Sequence, residues 1–383
     1  MKRRICVVIT ARPSYARIKS ALEAIRTHPD LELQLVIGAS ALLDRFGMTI
    51  DVIRRDGFEP DAEVYMVVEG ENLVTSVKST GIGIIELATI FDNLKPDAVL
   101  SVADRYETIA TAIAGAYMNL PVIHVQGGEV SGSIDEKVRH AVTKLADIHL
   151  VANQQAADRV LRMGERPEAV HTTGCPSIDL AARVSRENRA PNLEYWRQGV
   201  GADIQAESGY LVVMQHPVTY EWLDAENQIT QTLEAVIEIG RPTYWFWPNV
   251  DAGSDLASRA IRKFRENRDV PNIRFLKNMP PEEFLRVLLR ADCIIGNSST
   301  GIREAAYLGL PAVNIGSRQK GRDRGRNVVD VEHDSSAIRA AIARQLDRGR
   351  YDCDHIYGDG EAGTRIAEIL ATAPLTYEKR ITY

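Results

Sequence analysis

The sequence has 383 residues, which exceeds the size of one ordinary hydrophobic core and makes two domains the default expectation. Its 26% charged and 45% hydrophobic residues are typical of a globular protein, and a net charge of −6 argues against a general nucleic-acid or membrane-surface binder. The cysteines are far apart and form no CxxC motif, which gives no zinc or dithiol framework, and no apolar run approaches the ~20 residues of a membrane span.

The apolar runs of the first half alternate between strand-like and helix-like patterns. Residues 5–10 are rich in β-branched side chains, as in a buried parallel strand, and a helical apolar pattern follows Pro13. The turn between them lacks the GxGxxG and GxxxxGK[ST] motifs, so it predicts neither a dinucleotide site nor a P-loop. Further predicted elements are a helix over residues 70–88 and strands over residues 33–37, 97–102, 120–123, 148–152 and 170–173.

Charged residues follow two of these predicted strands directly. Arg12 comes just after the first strand, where it is either a solvated surface arginine or a ligand contact. Asp104 and Arg105 follow the strand over residues 97–102, where they are either a helix cap with a neighbouring cation or ligand groups. Position alone leaves both alternatives open.

The stretch over residues 124–140, HVQGGEVSGSIDEKVRH, is the most informative part of the chain. It leaves a predicted strand, passes through a double glycine and enters a helix, whose start Ser133 marks with a capping box. Glu129, Asp135 and Arg139 gather around this bend. Open α/β sheets bind and transform ligands at such a place, beyond the carboxyl end of a strand and beside a helix N-terminus. The i, i+4 spacing of Asp135 and Arg139 also fits a plain helical ion pair.

A polar stretch over residues 181–207 predicts the connection between two domains. The second half then repeats the alternation of strands and helices. Strands are predicted over residues 210–214, 243–247, 273–276, 293–296 and 312–315, and helices over residues 229–239 and 281–289. The tail over residues 359–383 begins with a helical apolar pattern and could pack back across both halves.

Residues 297–301, NSSTG, give the clearest anion-binding signal. Hydroxyls and uncommitted amides at a helix N-terminus suit phosphate oxygens, although serine and threonine also simply cap helices. His216, at another strand end, could donate to a phosphate or be structural. The basic run over residues 318–326 either faces a phosphorylated ligand or is a solvated loop. The residues alone therefore predict a two-domain α/β enzyme with a phosphorylated ligand in its second half and acid/base carboxylates in its first.

Five motifs in order resemble the hydrolysing UDP-N-acetylglucosamine 2-epimerases of the sialic-acid and legionaminic-acid pathway type. They are residues 124–140, QHPVT at 215–219, WPNVDAGSD at 247–255, residues 296–304 and NIGSRQKG at 314–321, and the resemblance covers nearly the whole chain. It implies an α/β fold of two Rossmann-like domains with parallel sheets, of the glycosyltransferase-B type, with an interdomain cleft. It also implies a reaction without metal or NAD. UDP is eliminated anti from C1 with loss of the C2 proton, and water adds to the 2-acetamidoglucal to give free N-acetylmannosamine.

The resemblance also implies roles for individual residues. The predicted catalytic residues are Asp104, Glu129, Asp135, Arg139 and His216. The predicted substrate-binding residues are Arg12, Arg105, Gln126, Asn249, Ser298, Ser299, Glu304 and Arg318. Within these sets, the carboxylates of the first half are the acid/base candidates, the arginines and the histidine hold the pyrophosphate, the serines are phosphate ligands, and the glutamate of the second half accepts from the ribose hydroxyls.

Two positions depart from some relatives. Where the animal enzyme reads HIEGGE, this chain has Gln126 in place of the first glutamate, and where it reads HGDR, this chain has VADR at residues 102–105. A glutamine cannot act as a general base. Because other members also vary at this position, we interpret the change as an altered substrate or proton relay. It leaves room for a different sugar, such as a 2,4-diacetamido-trideoxyglucose, or for a GDP-linked one.

We therefore expect an acid/base domain over residues 1–180, a nucleotide-diphosphate domain over residues 181–365, and a tail over residues 366–383 that packs on the first domain. The expected substrate is a UDP-sugar, with no cofactor, metal, nucleic acid or membrane, and the protein is expected to be a cytoplasmic homodimer or homotetramer. The alternatives are a non-hydrolysing epimerase that returns UDP-N-acetylmannosamine, a glycosyltransferase of the same fold, and a catalytically silent nucleotide-sugar binding protein, which Gln126 motivates.

Overall fold

The structure, a computed structural model, describes residues 2–70, 72–131, 134–192, 194–195, 199–204, 209–218, 220–248, 253–268, 270–277 and 279–382. Two predicted features, the capping residue Ser133 and the substrate-binding residue Asn249, lie outside the described residues. The chain divides into two compact units. The first contains residues 2–129, 134–179 and 357–382, and the second contains residues 130–131 and 180–356.

Each unit contains a sheet with helices packed on it. The strands of the first unit are β1 (Arg3–Ile9), β2 (Leu31–Gly38), β3 (Ala62–Val64), β4 (Ala98–Val102), β5 (Val122–Val125), β6 (Ile148–Val151) and β7 (Val170–Thr172). Those of the second are β8 (Val200–Gly201), β9 (Leu211–Met214), β10 (Thr243–Phe246), β11 (Ile273–Leu276), β12 (Cys293–Gly296), β13 (Ala312–Ile315) and β14 (Val328–Val331). The helices are α1 (Arg12–Ala16), α2 (Lys19–Thr27), α3 (Thr49–Arg55), α4 (Leu73–Leu94), α5 (Thr108–Tyr117), α6 (Ile134–Leu145), α7 (Gln154–Arg162), α8 (Pro176–Glu187), α9 (Ala225–Ile239), α10 (Ser254–Asn267), α11 (Pro281–Arg290), α12 (Glu304–Tyr307), α13 (Ser335–Arg348) and α14 (Ala362–Thr372).

The sheet of the first unit is parallel throughout, in the order β3-β2-β1-β4-β5-β6-β7. Strand β1 lies inside this sheet, between β2 and β4, and its apolar run is buried on both faces because helices cover each side. Ile5, Val7 and Ile9 pack on the side of α2 and α14, while Cys6 and Val8 pack on the side of α4, α5 and α6. A strand that is buried on both faces needs apolar residues at successive positions, and this explains why the run does not alternate with polar ones.

The C-terminal helix α14 belongs to the first unit and packs against α2. Arg3 of β1 donates hydrogen bonds to the carbonyl oxygens of Leu370 (2.8 Å) and Ala373 (2.7 Å) at the end of α14. The last carbonyls of a helix have no partner within it, so this arginine satisfies two of them. The chain therefore returns, after the whole second unit, to complete the core of the first.

The sheet of the second unit has the order β14-β13-β12-β9-β10-β11-β8 and is parallel except for the β8–β11 pair. Helices α9, α10 and α13 pack on one face, and α8, α11 and α12 on the other. The two mostly parallel sheets with flanking helices confirm the predicted α/β fold of two Rossmann-like units. Strands β11, β12 and β13 have the predicted bounds.

Strand β5 and helix α4 differ from the sequence-based expectation. Strand β5 continues through His124 and Val125, because the His124 ring is fully buried and hydrogen-bonded within the unit. Helix α4 has 22 residues, and by length and composition it is apolar enough to cross a membrane, which the sequence analysis missed because serine, threonine and glycine interrupt its apolar run. Only 17% of its most apolar window is buried.

Candidate functional site

Three adjacent strands of the first unit bring predicted site residues to one edge of the sheet. Strands β1, β4 and β5 are neighbours and run parallel, so their carboxyl ends lie at the same edge. Arg12 follows β1, Asp104 follows β4, and Gln126 follows β5. Helix α5 begins at Thr108 and its cap position is Glu107, so the interpretation of Asp104 as a helix cap is wrong.

Arg139 of α6 is the centre of a buried polar network. Its side chain is fully buried, and its Nη1 donates to the carbonyl oxygen of Gln126 at 2.6 Å, while its Nη2 donates to the Asp104 carboxylate. The second carboxylate oxygen of Asp104 lies 3.4 Å from Nη1 of Arg17. Three predicted residues thus come together, and Arg17 joins them although sequence reasoning missed it. A buried carboxylate of this kind requires such cationic partners to remain ionised.

Gln126 is fully buried and its backbone has φ +66°, in the left-handed region that non-glycine residues seldom occupy. Its side-chain amide donates to Sγ of Cys175 at 2.9 Å, and this sulfur lies 3.0 Å from Oγ of Ser177. Strained backbone is concentrated at functional sites, where the surrounding contacts hold it in place. Sequence reasoning missed Cys175, because nothing in the GCP triplet at residues 174–176 indicates a partner 49 positions away.

His124 supports the same edge from within β5. One ring nitrogen, Nε2, lies 2.9 Å from the carbonyl oxygen of Ala103, and the other, Nδ1, lies 3.1 Å from Oγ1 of Thr143. Burial lowers the pKa of His124 to about 3, so the ring is neutral at physiological pH. A neutral imidazole that donates from Nε2 fixes the carbonyl next to Asp104, which makes His124 a positioning residue.

The loop after β5 requires a glycine and contains a buried carboxylate. Gly128 has φ +73°, and a Cβ there would clash with the carbonyl oxygen of Ala156, so only glycine fits. Glu129 follows and is fully buried, and Asp135 lies partly buried in the first turn of α6. One of these two predicted acid/base residues therefore lies shortly after β5 and the other in the first turn of α6.

Arg12 and Arg105, the other two arginines predicted as site residues in the first unit, differ in their surroundings. Burial lowers the pKa of Arg12 to about 10, which leaves it a cation at neutral pH. Arg105 donates from Nε to Glu107 at 2.8 Å, and Glu107 is almost fully buried. Arg105 is thus held by a neighbour two residues away.

In the second unit, the side chain of Asn297 connects the ends of two neighbouring strands. Asn297, which follows β12, accepts a hydrogen bond from the backbone N–H of His216 at 2.7 Å and donates to its carbonyl oxygen at 2.7 Å. Both side chains are buried. Because β9 and β12 are adjacent parallel strands, this reciprocal pair holds the loop after β9 against the loop after β12.

The segment after β12 is less regular than the predicted helix. A 3₁₀ turn spans Ser299–Gly301, the Ser298 hydroxyl accepts from the N–H of Thr300 at 3.3 Å, and the following α12 has only 4 residues. So short a helix adds little dipole to an anion site. Glu304, at the start of α12, is buried, and its Oε2 has no hydrogen-bond partner among the described residues. A buried acceptor in this state is costly and indicates where a ligand donor fits.

The basic run after β13 is only in part a surface loop. Arg318 donates from Nη1 to the carbonyl oxygen of Asn297 at 3.3 Å, and Gln319 donates to the same oxygen at 2.8 Å. Arg322 is buried and donates to Oε1 of Gln319 at 2.8 Å. The interpretation of the whole run as a solvated loop is therefore wrong for Arg322, which braces the segment that positions Arg318.

The described residues contain no group of three or more histidine, cysteine, aspartate or glutamate side chains placed to hold a metal ion. All four cysteines are free thiols, and Cys353 is exposed while Cys6, Cys175 and Cys293 are buried.

Comparisons with known proteins agree with this fold and these motifs. The profile of the UDP-N-acetylglucosamine 2-epimerase family matches residues 23–371. A UDP-N,N'-diacetylbacillosamine 2-epimerase (hydrolyzing) of Legionella pneumophila is 31% identical over 98% of this chain and 97% of its own length. A UDP-N-acetylglucosamine 2-epimerase of Neisseria meningitidis serogroup B is also 31% identical, over 97% of this chain and 95% of its own.

Among solved structures, the UDP-GlcNAc 2-epimerase from Neisseria meningitidis bound to UDP-GlcNAc has a TM-score of 0.80 at 16% identity, covering 96% of this chain and 99% of that one. The fold and the sheet-edge residues thus define a two-unit α/β enzyme of the glycosyltransferase-B type fold. The chain belongs to the UDP-N-acetylglucosamine 2-epimerase family.

Proposed function

We propose that the chain is a hydrolysing nucleotide-sugar 2-epimerase that converts UDP-N-acetylglucosamine, or its 4-acetamido-trideoxy analogue, and water into UDP and the free 2-epimer. The observation that carries the proposal is the buried network in which Arg139 joins the Asp104 carboxylate to the Gln126 carbonyl at the edge of the first sheet. The hydrolytic outcome is supported by the Legionella pneumophila relative, whose name includes hydrolysis and which matches nearly the full chain.

The first half-reaction removes the C2 proton of the sugar and expels UDP from C1. The C2–H electrons form the C1=C2 double bond, and the C1–O bond electrons leave with UDP. We assign the proton to Glu129, which is fully buried, because a base for a carbon acid must be close to the substrate and shielded from water. Asp104 forms ion pairs with Arg139 and Arg17, so we assign it the role of a fixed anion that orients both cations.

The second half-reaction adds water to the 2-acetamidoglucal. The water oxygen bonds to C1 and loses one proton to solvent, while the C1=C2 electrons take up a proton at C2 on the face opposite to the one that was deprotonated in the first half-reaction. We assign this proton to Asp135, which lies in the first turn of α6. Gln126 has no acid/base capacity, and we assign it to substrate contact through an amide that Cys175 holds.

The second unit supplies the nucleotide-binding groups in this proposal. His216, Ser298, Ser299 and Arg318 are assigned to the diphosphate, since they follow the carboxyl ends of three adjacent strands. The buried Oε2 of Glu304 is assigned to the ribose hydroxyls. These hydroxyls would donate the hydrogen bonds that this oxygen does not receive from the described residues.

The deciding experiment is incubation with the UDP-sugar in deuterated water, followed by NMR. UDP-N-acetylglucosamine, its 4-acetamido-trideoxy analogue and a GDP-linked sugar are run in parallel. We expect UDP and a free 2-epimer with deuterium at C2. A nucleotide-linked, deuterated product would instead identify the non-hydrolysing epimerase. Binding without exchange at C2 would identify a silent binding protein, and transfer of the sugar to an acceptor would identify a glycosyltransferase.

Single variants separate the two half-reactions. Glu129→Gln should abolish C2 exchange, whereas Asp135→Asn should release UDP and accumulate the 2-acetamidoglucal. Asp104→Asn should impair both steps by releasing the arginines. Asp51→Asn is the matched control, because Asp51 is an exposed aspartate of α3 and should leave all rates unchanged. Exchange at the wild-type rate in Glu129→Gln would show that another group takes the proton.

A further inference from the structure

The second unit contains a cavity of about 430 Å³ at the start of α9. It is lined by residues 220–224, which lead from the loop after β9 into α9, by Gln228 of α9, and by His333, which follows β14. Pockets that bind small molecules have volumes of about 300–1,000 Å³, so this cavity has the size of a small-ligand site. Its lining includes none of the described residues that are predicted to bind or transform the UDP-sugar.

His333 lines this cavity with a buried imidazole. Both ring nitrogens are buried, and neither has a hydrogen-bond partner among the described residues. Gly316, which follows β13, has φ +72°, and a Cβ there would clash with Nε2 of His333, so the ring lies directly against the glycine. A buried polar atom without a partner is costly. Two such atoms on a residue that lines a cavity therefore indicate where a ligand supplies hydrogen bonds.

The charges at the cavity disfavour an anionic ligand. Glu221 and Asp224 line it, and Glu332 precedes His333 in the chain. Burial lowers the pKa of His333, although these three carboxylates oppose the shift, so the ring is neutral at physiological pH. A phosphate or a nucleotide would therefore meet carboxylates and an imidazole that carries no positive charge.

The neutral imidazole also disfavours a cationic ligand. One nitrogen of a neutral ring donates and the other accepts, so the ligand must offer both kinds of group to His333. An ammonium group can only donate. The carboxylate of Glu221 already accepts from the Ser317 hydroxyl and, at 2.8 Å, from the Gln228 amide. Because a hydroxyl group both donates and accepts, a ligand with several hydroxyl groups matches this histidine better than a cation does.

Aromatic side chains give the cavity an apolar surface as well. Tyr220 and Trp222 line it and are 61% and 39% exposed. Tyrosine and tryptophan combine an apolar ring with one polar group, so they suit a ligand that has both apolar and polar faces. A pyranose ring has this character, because its axial C–H groups form an apolar face and its hydroxyl groups lie around the edge. The lining therefore fits an uncharged sugar.

We propose that this cavity binds a neutral monosaccharide, a hexose or an N-acetylhexosamine, at a site separate from the predicted UDP-sugar site. His333 exchanges hydrogen bonds with the sugar hydroxyls, and Trp222 packs on the apolar face of the pyranose ring. The cavity belongs entirely to the second unit, and the inference does not depend on the reaction proposed above.

Titration of the full chain with N-acetylglucosamine, N-acetylmannosamine and glucose, followed by saturation-transfer NMR, tests the proposal. We expect at least one sugar to bind with a dissociation constant of about 1 mM, the order expected for a ligand of about fifteen non-hydrogen atoms. Trp222→Ala removes an aromatic surface, and His333→Phe removes both ring nitrogens but keeps a ring. Each should raise the dissociation constant at least about tenfold. His355→Phe is the matched control, since His355 is an exposed histidine of the same unit and should leave the affinity unchanged.

Several results would overturn the proposal. Circular dichroism first checks that each variant is folded, and Trp222→Ala alters a partly exposed side chain, so it tests the site even if His333→Phe does not fold. Absence of binding by all three sugars, or unchanged sugar affinity in Trp222→Ala, would refute it. So would Trp222-dependent binding of tetramethylammonium or inorganic phosphate in place of the sugars. A loss of UDP affinity in Trp222→Ala that equals the loss of sugar affinity would instead assign the cavity to the nucleotide site.

Discussion

Replacing Arg139 by methionine tests the buried network of the first unit most directly. The substitution keeps an apolar stem of similar length but takes one cation away from the buried Asp104 carboxylate, while Arg17 stays 3.4 Å from it. Removing one partner of a buried ion pair costs about 3–5 kcal/mol of unfolding free energy. Because Arg17 still pairs with the carboxylate, we expect a loss at the lower end of this range, about 3 kcal/mol. At about 2–4 °C per kcal/mol for a unit of this size, the melting temperature should fall by about 6–12 °C.

Scanning calorimetry and thermal circular dichroism measure this change. Arg339→Met is the control, because Arg339 forms an exposed pair with Glu238 whose loss costs about 0–1 kcal/mol. The double variant Asp104→Leu/Arg139→Met also removes the buried carboxylate and should regain more than half of the lost stability. The reasoning is refuted if Arg139→Met costs no more than Arg339→Met, or if the double variant is less stable than Arg139→Met alone.

Three further predictions concern pH, nucleotide binding and the strained glutamine. Burial lowers the pKa of His124 from 6.5 to about 3, so its contribution to stability is complete above pH 6.5 and is lost as the pH falls. At pH 5 the loss is about 2 kcal/mol, and His124→Gln should reduce the slope of unfolding free energy against pH by about one proton in urea titrations. Glu304→Gln should raise KM for the UDP-sugar about tenfold with kcat nearly unchanged, and an equal fall in kcat would contradict a ground-state contact. Cys175→Ala should cost about 1–2 kcal/mol by removing the sulfur that accepts from the buried Gln126 amide, while Cys175→Ser should recover part of this stability. Equal stability of Cys175→Ala and wild type in urea would argue against this contact.

Whether a site residue could be predicted from the sequence depended on whether its neighbours in the chain already mark it as a candidate. Residues that directly follow apolar strands could be identified as candidates, because parallel strands carry their functional groups beyond their carboxyl ends. Asp104 and His216 were identified in this way. Arg17 and Cys175 were not, because a helical arginine and a single cysteine have no local pattern that separates them from surface and core residues. Their partners lie 87 and 49 positions away in the sequence.

The sequence by itself determined the alternation of strands and helices, since short β-branched runs between turn residues can be buried on both faces only in a parallel sheet. It therefore predicted the bounds of β11, β12 and β13, but it missed the extension of β5 through His124, because a polar residue counts against a buried strand until its partners are known. Only the tertiary structure decided which charges meet. The Asp135–Arg139 spacing fits a helical ion pair, yet Arg139 reaches Asp104 across the sheet edge, because a fully buried guanidinium requires a fixed anion and a carbonyl together.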